Sequence, residues 1–201
     1  MNYRAIAALS AFILGIATLA FAESGARAIT VEMKTNVGTV VMQLDAQRAP
    51  KSVQNFVKYA QAKHYEGTVF HRVIDGFMIQ GGGLDQNLKE KPTLAPIANE
   101  AANGLKNEKY SVAMARTSDP NSATCQFFIN TNDNTFLNRD EAQDGYGYAV
   151  FGFVTDGKEV VDQISKVKTE VQTSPDHKEL LMRDVPVQPI VIQSITVLDG
   201  A

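Results

Sequence analysis

The sequence predicts a mainly β domain: a closed, eight-stranded antiparallel β-barrel capped by two α-helices. Three observations predict it. Eight short runs of β-branched and aromatic residues follow one another, most of them joined by short turns. Only two stretches carry a helical period. The strands mostly do not alternate with helices, which argues against a doubly wound sheet, and a sheet of this size avoids exposed edges most simply by closing.

Taken in order, ITVEMKT (29–35) and TVVMQL (39–44) flank Asn36-Val37-Gly38 and read as a hairpin. APKSVQNFVKYAQAKHY (49–65) carries Val53, Phe56, Val57 and Ala60 at i, i+3, i+4 and i+7, so one helical face is apolar. Pro50 stands near its start, where a missing N–H costs little. TVFHRVI (68–74) and GFMIQ (76–80) meet at a tight Asp75-Gly76 turn. YSVAMA, QFFINT, AVFGFV and IVIQSITVL supply the remaining strands, and DGKEVVDQISKV (156–167) the second helix, with Val160, Ile164 and Val167 on one face. Two irregular stretches, 84–108 and 169–189, are long for a compact domain; such loops are functional or mobile. No internal repeat or low-complexity linker divides the chain.

The first 22 residues read as a cleaved export leader. Arg4 gives a positive start, Ala5 to Ala22 carry no charge, and Ala20-Phe21-Ala22 fits the small-x-small rule for signal peptidase. The apolar run is near the lower limit for a membrane span and is broken by Ser10, Gly15 and Thr18. One domain, 23–201, is then expected in the periplasm, a monomer with no lasting membrane association. Removing 1–22 takes only Arg4 from the charge count and leaves 18 basic against 22 acidic residues, a net of −4. Such a balance lacks the clustered basic footprint of a nucleic-acid binder. Cys125 is the one cysteine, so stability must come from the core rather than from disulfides; it reads as a small buried thiol.

Familiar catalytic signatures are missing. Gly81-Gly82-Gly83 is followed by no Gly-Lys-Ser/Thr and reads as a turn or close-packed backbone. His64, His71 and His177 are scattered, with no HExxH or Cys-x-x-Cys, and no GxSxG occurs. No metal or cofactor is implied. What does stand out is FHRVIDGFMIQGGG (70–83). Phe70, Arg72 and Ile74 alternate, which puts a permanently charged arginine on the face of two apolar residues. Either the guanidinium snorkels to water or it is held beside an apolar site for a purpose.

FHRVIDGFMIQGGG, together with VAMART, CQFFIN, FLN and YAVFGFV, resembles the cyclophilin family of peptidyl-prolyl cis–trans isomerases, in its periplasmic bacterial branch. The similarity runs in family order from about Ile29 to Leu198. It implies an eight-stranded barrel capped by two helices, a non-covalent isomerase acting on Xaa-Pro bonds, and proline-containing segments of folding exported proteins as partners. The family's catalytic arginine falls on Arg72, and its proline pocket on Phe77, Met78, Phe128 and Leu137. Gln80 and Gln126 match the polar residues beside it. Ala115 and Arg116 match the strand that pairs with substrate backbone; asparagine is commoner at the second position, so only the main chain of Arg116 carries over. Phe136 stands where tryptophan is frequent and Tyr148 where histidine is frequent. These departures leave isomerisation in place and weaken the case for tight cyclosporin binding.

On the residues alone, Phe77, Met78, Phe128 and Leu137 are equally readable as ordinary core. A module that captures proline-containing chains without turning them over would use the same pocket. A barrel enclosing a small apolar ligand predicts a hollow interior, whereas the many large inward candidates predict a filled one.

Overall fold

Burial at every second residue builds the first hairpin. In the computed structural model, which describes residues 28–198, β1 (Ile29–Thr35) pairs antiparallel with β2 (Gly38–Leu44). Val31, Met33, Val40, Met42 and Leu44 are fully buried, while Lys34 and Gln43 are exposed. The expected leader at 1–22 lies outside the described residues.

The other strands are β3 (Thr68–Ile74), β4 (Met78–Asp85), β5 (Ser111–Met114), β6 (Phe127–Asn130), β7 (Val150–Asp156), β8 (Thr169–Thr173), β9 (Leu181–Pro186) and β10 (Ile192–Val197). Eight of them form one antiparallel sheet in the order β10-β1-β2-β7-β5-β6-β4-β3. Its two ends meet: Val69 bridges Val191, and the amides of Gly67 and Phe70 each donate at 2.9 Å, to the carbonyls of Ile192 and Ile190. The expected barrel is therefore present and nearly closed.

Two helices cap it. α1 (Pro50–Gln61) buries Val53, Phe56 and Ala60, as the spacing predicts, while Val57 is half-buried and Tyr59, outside the expected face, is buried as well. Ala49 offers its first turn no side-chain cap. Glu100, from the 84–108 loop, takes that role by accepting from the amides of Lys51 (3.0 Å) and Ser52 (2.8 Å). A carboxylate there also complements the positive end of the helix dipole. α2 (Lys158–Ser165) buries Val160, Val161 and Ile164. Its N-cap, Gly157, has φ 77°, and a Cβ there would lie 2.2 Å from the Thr39 carbonyl oxygen, so the junction requires glycine. The interior is filled. Phe56 meets Phe127 edge-on at 5.3 Å and lies 5.0 Å from Tyr65, above Met33, Met42, Phe70, Ile129 and Phe151. Cys125 is part of this core, and burial pushes its thiol pKa up.

β3 corrects the simple alternation. Phe70 pairs with Gly81 and Arg72 with Gln80, so β3 advances two residues while β4 advances one. His71 is the extra residue of a bulge, and a one-residue slip exchanges the faces of everything beyond it. Phe70 and Val73 consequently both enter the barrel core, whereas Ile74 packs in the apolar cluster on the outer face and Arg72 lines the cleft there. Phe70 and Arg72 do not share a face.

A second difference concerns 169–189, expected to be irregular. It holds a hairpin, β8 with β9, outside the barrel. Most of its side chains are polar or exposed, so no periodicity marks it; it rests on the barrel through Val185 and Met182, which pack with Val69, Leu84 and Leu88.

Candidate active site

The outer face of the sheet collects a second apolar cluster, separate from the barrel core. Met78, Ala113, Ala115, Phe128, Leu137 and Val150 are buried in it, with Ile74, Phe77, Tyr148 and Phe153 packed against them. The strand period explains the division: Ile79, Phe127 and Ile129 point inward while Met78, Gln80 and Phe128 point outward. This cluster opens into a pocket of about 180 Å³ lined by Arg72, Phe77, Met78, Gln80, Ala115, Arg116, Phe128, Leu137 and Tyr148. Nine residues expected at a site thus converge from five separate stretches of chain. Two wider grooves, about 500 and 560 Å³, flank α1. They open broadly to solvent, share Lys51, Gln54 and Lys58 beside apolar residues such as Ile97 and Val57, and contain none of the residues expected at the site.

Each side chain has a local reason for its place. Arg72 is exposed and directly opposite Gln80 across the β3–β4 ladder. Gln80 Nε2 donates to Gln126 Oε1 at 2.9 Å, so what Gln80 keeps for Arg72 or a ligand is mainly its carbonyl oxygen. Gln126 does not line the pocket; it stands behind Gln80. Gly83 makes room for it, because a Cβ at that position would come within 2.5 Å of Gln126 Cγ. The three glycines are thus close-packed backbone inside β4. Phe136 also lies off the lining. It is 56% exposed and stacks on Phe77, with ring centroids 5.7 Å apart, so it extends the apolar surface beyond the pocket's rim. Leu137 is brought in by a short 3-10 turn, Thr135–Leu137. Ala115 spends its amide on the Gln126 carbonyl at 3.0 Å, and Arg116 follows beyond the end of β5.

Below the pocket lies a buried amide network absent from the expected site. Asn134 Nδ2 donates to the Phe77 carbonyl (2.8 Å) and to Asn130 Oδ1 (2.6 Å). Asn130 Nδ2 donates to Ser111 Oγ (2.8 Å) and Asn107 Oδ1 (3.2 Å), and the amide of Asn107 donates to Asn138 Oδ1 (2.7 Å). Phe77 and Leu137 are therefore tied to one satisfied polar cluster. One sign in the sequence pointed to it: Asn130 closes an otherwise apolar strand, where asparagine is disfavoured.

Electrostatically the site holds a fixed cation beside a neutral base. Burial, with a smaller push from Arg72, lowers the His71 pKa to about 4 against the opposing hydrogen bond with the Val69 backbone. At neutral pH His71 is an uncharged, buried residue of the bulge, and Arg72 carries the charge at the pocket.

Comparison with known proteins agrees with this geometry. A family profile described as "Cyclophilin type peptidyl-prolyl cis-trans isomerase/CLD" matches residues 30–197. The chain is 55% identical over 170 residues to peptidyl-prolyl cis-trans isomerase cyp18 of Streptomyces antibioticus, covering 84% of this chain and 98% of that one. It is 46% identical over 198 residues to peptidyl-prolyl cis-trans isomerase A of Dickeya dadantii, covering 98% and 99%. Among solved structures, a cyclophilin-type isomerase of Cryptosporidium parvum superposes with a TM-score of 0.68 at 24% identity, over 87% of this chain and 100% of that one. At that identity the likeness speaks for the fold alone.

Proposed function

The chain belongs to the cyclophilin family of peptidyl-prolyl cis–trans isomerases, and from that premise we propose that Arg72 lowers the rotational barrier of Xaa-Pro bonds held in the outer-face pocket. The observation that carries this reading is the meeting of one exposed guanidinium with the apolar walls of Phe77, Met78, Phe128 and Leu137 in a pocket of about 180 Å³.

The reaction needs no bond made or broken. A prolyl peptide bond resists rotation because the nitrogen lone pair is shared with the carbonyl, a barrier of about 18–20 kcal/mol. Uncatalysed, the change takes tens to hundreds of seconds, as is typical of X–Pro bonds. In the twisted transition state the lone pair is localised on the prolyl nitrogen, which becomes a better hydrogen-bond acceptor. A guanidinium is always protonated and presents a rigid fork of donors. A hydrogen bond to that nitrogen is stronger in the transition state than in the ground state, and only such a difference speeds the step. Lowering the barrier by about 7 kcal/mol gives roughly a 10⁵-fold acceleration. Phe77, Met78, Phe128 and Leu137 seat the rigid apolar ring, and their dry surface strengthens the arginine's hydrogen bond. The main chain at Arg116 fixes one side of the peptide while the other turns.

The test follows cis–trans exchange of a short Xaa-Pro peptide by NMR. Arg72→Ala is expected to lose most of kcat/KM while peptide affinity changes little. Unchanged turnover in that variant refutes the mechanism, and binding without acceleration by the wild type leaves a peptide-binding module.

The 22-residue leader read from the sequence supports a place in the periplasm, with folding exported proteins as clients. Fractionation of cells expressing the full chain checks this: the mature protein should appear in the periplasmic fraction beginning at Glu23. Full-length protein retained in the cytoplasm overturns it.

A further inference from the structure

Arg116 entered the site for its main chain, yet its side chain is only 3% exposed. Arginine is almost never this buried unless paired. Each of its three nitrogens donates to the protein itself. Nε reaches the Gly147 carbonyl at 3.0 Å, Nη1 the Thr117 carbonyl at 3.0 Å, and Nη2 the Asp144 carboxylate. The guanidinium carbon lies 4.4 Å from the centroid of the Tyr148 ring, a cation–π contact in a desolvated setting.

We infer that the Arg116 side chain is a positioning residue: with Asp144 it clamps the 144–147 turn and thereby fixes Tyr148 as a wall of the ligand pocket. The inference rests on the reading of that pocket as the proline seat.

The turn has few other supports. Glu141, Gln143, Asp144, Gly145 and Tyr146 are all exposed, and Ala142 is the one half-buried residue between Asn138 and Gly147. Its order comes from polar bonds. Asp144 Oδ1 accepts from the amides of Tyr146 (2.9 Å) and Gly147 (3.2 Å), while Oδ2 takes the arginine. Those amides, the Tyr146 one foremost, and Arg116 hold the Asp144 carboxyl at about 2, so the pair is fully charged at neutral pH. The clamped turn is pressed onto the chain at Leu137. Gly147 has φ 65°, a Cβ on it would lie 2.8 Å from the Leu137 carbonyl oxygen, and the Tyr148 amide donates to that same oxygen at 2.9 Å. Tyr148 then meets Phe128 edge-on, centroids 5.7 Å apart. The guanidinium, with Asn99 Nδ2 donating to the same Gly147 carbonyl at 3.1 Å, thus secures the turn that seats Tyr148 against Leu137 and Phe128, which the 3-10 turn and the β6 ladder hold in place. A lysine cannot reproduce this fork, because its charge is a single point on a flexible stem.

The experiment compares wild type, Arg116→Lys, Asp144→Asn and the double variant, all folded, in two measurements that require no turnover. The first is the NMR shift of the Tyr148 ring in the free protein; the second is Kd for a short Xaa-Pro peptide. Each single variant should move the Tyr148 ring signals and weaken peptide binding by about 10-fold, the effect of losing one strong contact. In Asp144→Asn, which changes no residue of the pocket lining, the exchange rate of the saturated complex should stay within about 2-fold, because the loss is of uniform binding. The double variant should bind no worse than the weaker single, since two residues acting as one unit do not add. Unmoved Tyr148 signals overturn the clamp. Moved signals with unchanged Kd overturn its role for the ligand, and so do fully additive losses. A wild type that binds peptide without accelerating exchange overturns the Arg72 mechanism and leaves the clamp standing.

Discussion

Truncating Asn130 to alanine probes how the outer-face pocket is held to the barrel. Asn130 has no solvent exposure and makes three side-chain hydrogen bonds, to Ser111 Oγ, to Asn107 Oδ1 and from Asn134 Nδ2. Asn130→Ala deletes all three and leaves partners that are themselves buried: Ser111 and Asn107 are 0% exposed and Asn134 2%. Each stranded partner costs about 1–3 kcal/mol. Ser111 Oγ still donates to the Glu108 carbonyl, and Asn134 Nδ2 still donates to the Phe77 carbonyl, so the loss falls short of the full sum. A destabilisation of about 3–5 kcal/mol is expected, a large part of the roughly 5–15 kcal/mol that holds a domain folded. Urea denaturation reads it as a lower midpoint with an unchanged slope. Peptide affinity, measured well below that midpoint, should fall too, because Asn134 loses the partner that aims it at Phe77. A stability loss under about 1 kcal/mol refutes the reasoning, since it means the stranded groups find other partners at little cost.

Two further outcomes follow. His71 titrates at about 4 when folded and near 6.5 when unfolded. The unfolded chain therefore binds more protons between these values. The contribution is fully present above pH 6.5 and is lost as pH falls toward 4, by up to about 3 kcal/mol. His71→Gln should flatten that part of the pH–stability curve; identical curves for variant and wild type refute it. Arg72→Lys should turn over nearly as poorly as Arg72→Ala in the NMR exchange assay, because a point charge does not reproduce the fork. Near wild-type rates would assign catalysis to charge alone.

The sequence by itself determined the local elements. ITVEMKT and TVVMQL were legible as a hairpin about Asn36-Val37-Gly38, and the 3.6-residue period placed Val53, Phe56 and Ala60 on the buried face of α1, because burial of a side chain follows the repeat of its own backbone. The count of eight barrel strands and two helices followed from the same patterns, and the run of motifs carried the family. What only the tertiary structure decided depends on partners distant in sequence. The bulge at His71 exists in the pairing of β3 with β4, and it alone separates Phe70 from Arg72. The hairpin of β8 and β9 is stabilised against Val69 and Leu84 rather than by a pattern of its own, so no periodicity announced it. Gln126 finds its position because Gly83 leaves space, and Asn107, Asn134 and Asn138 are ordinary loop residues until the fold buries them with Asn130, the one member whose place in an apolar strand gave a sign. Arg116 shows the division most clearly. Its main chain entered only through the family resemblance, and its side chain acquires a role only where Asp144, Gly147 and Tyr148 close around it, since a hydrogen bond is fixed by distance in space and not by spacing along the chain.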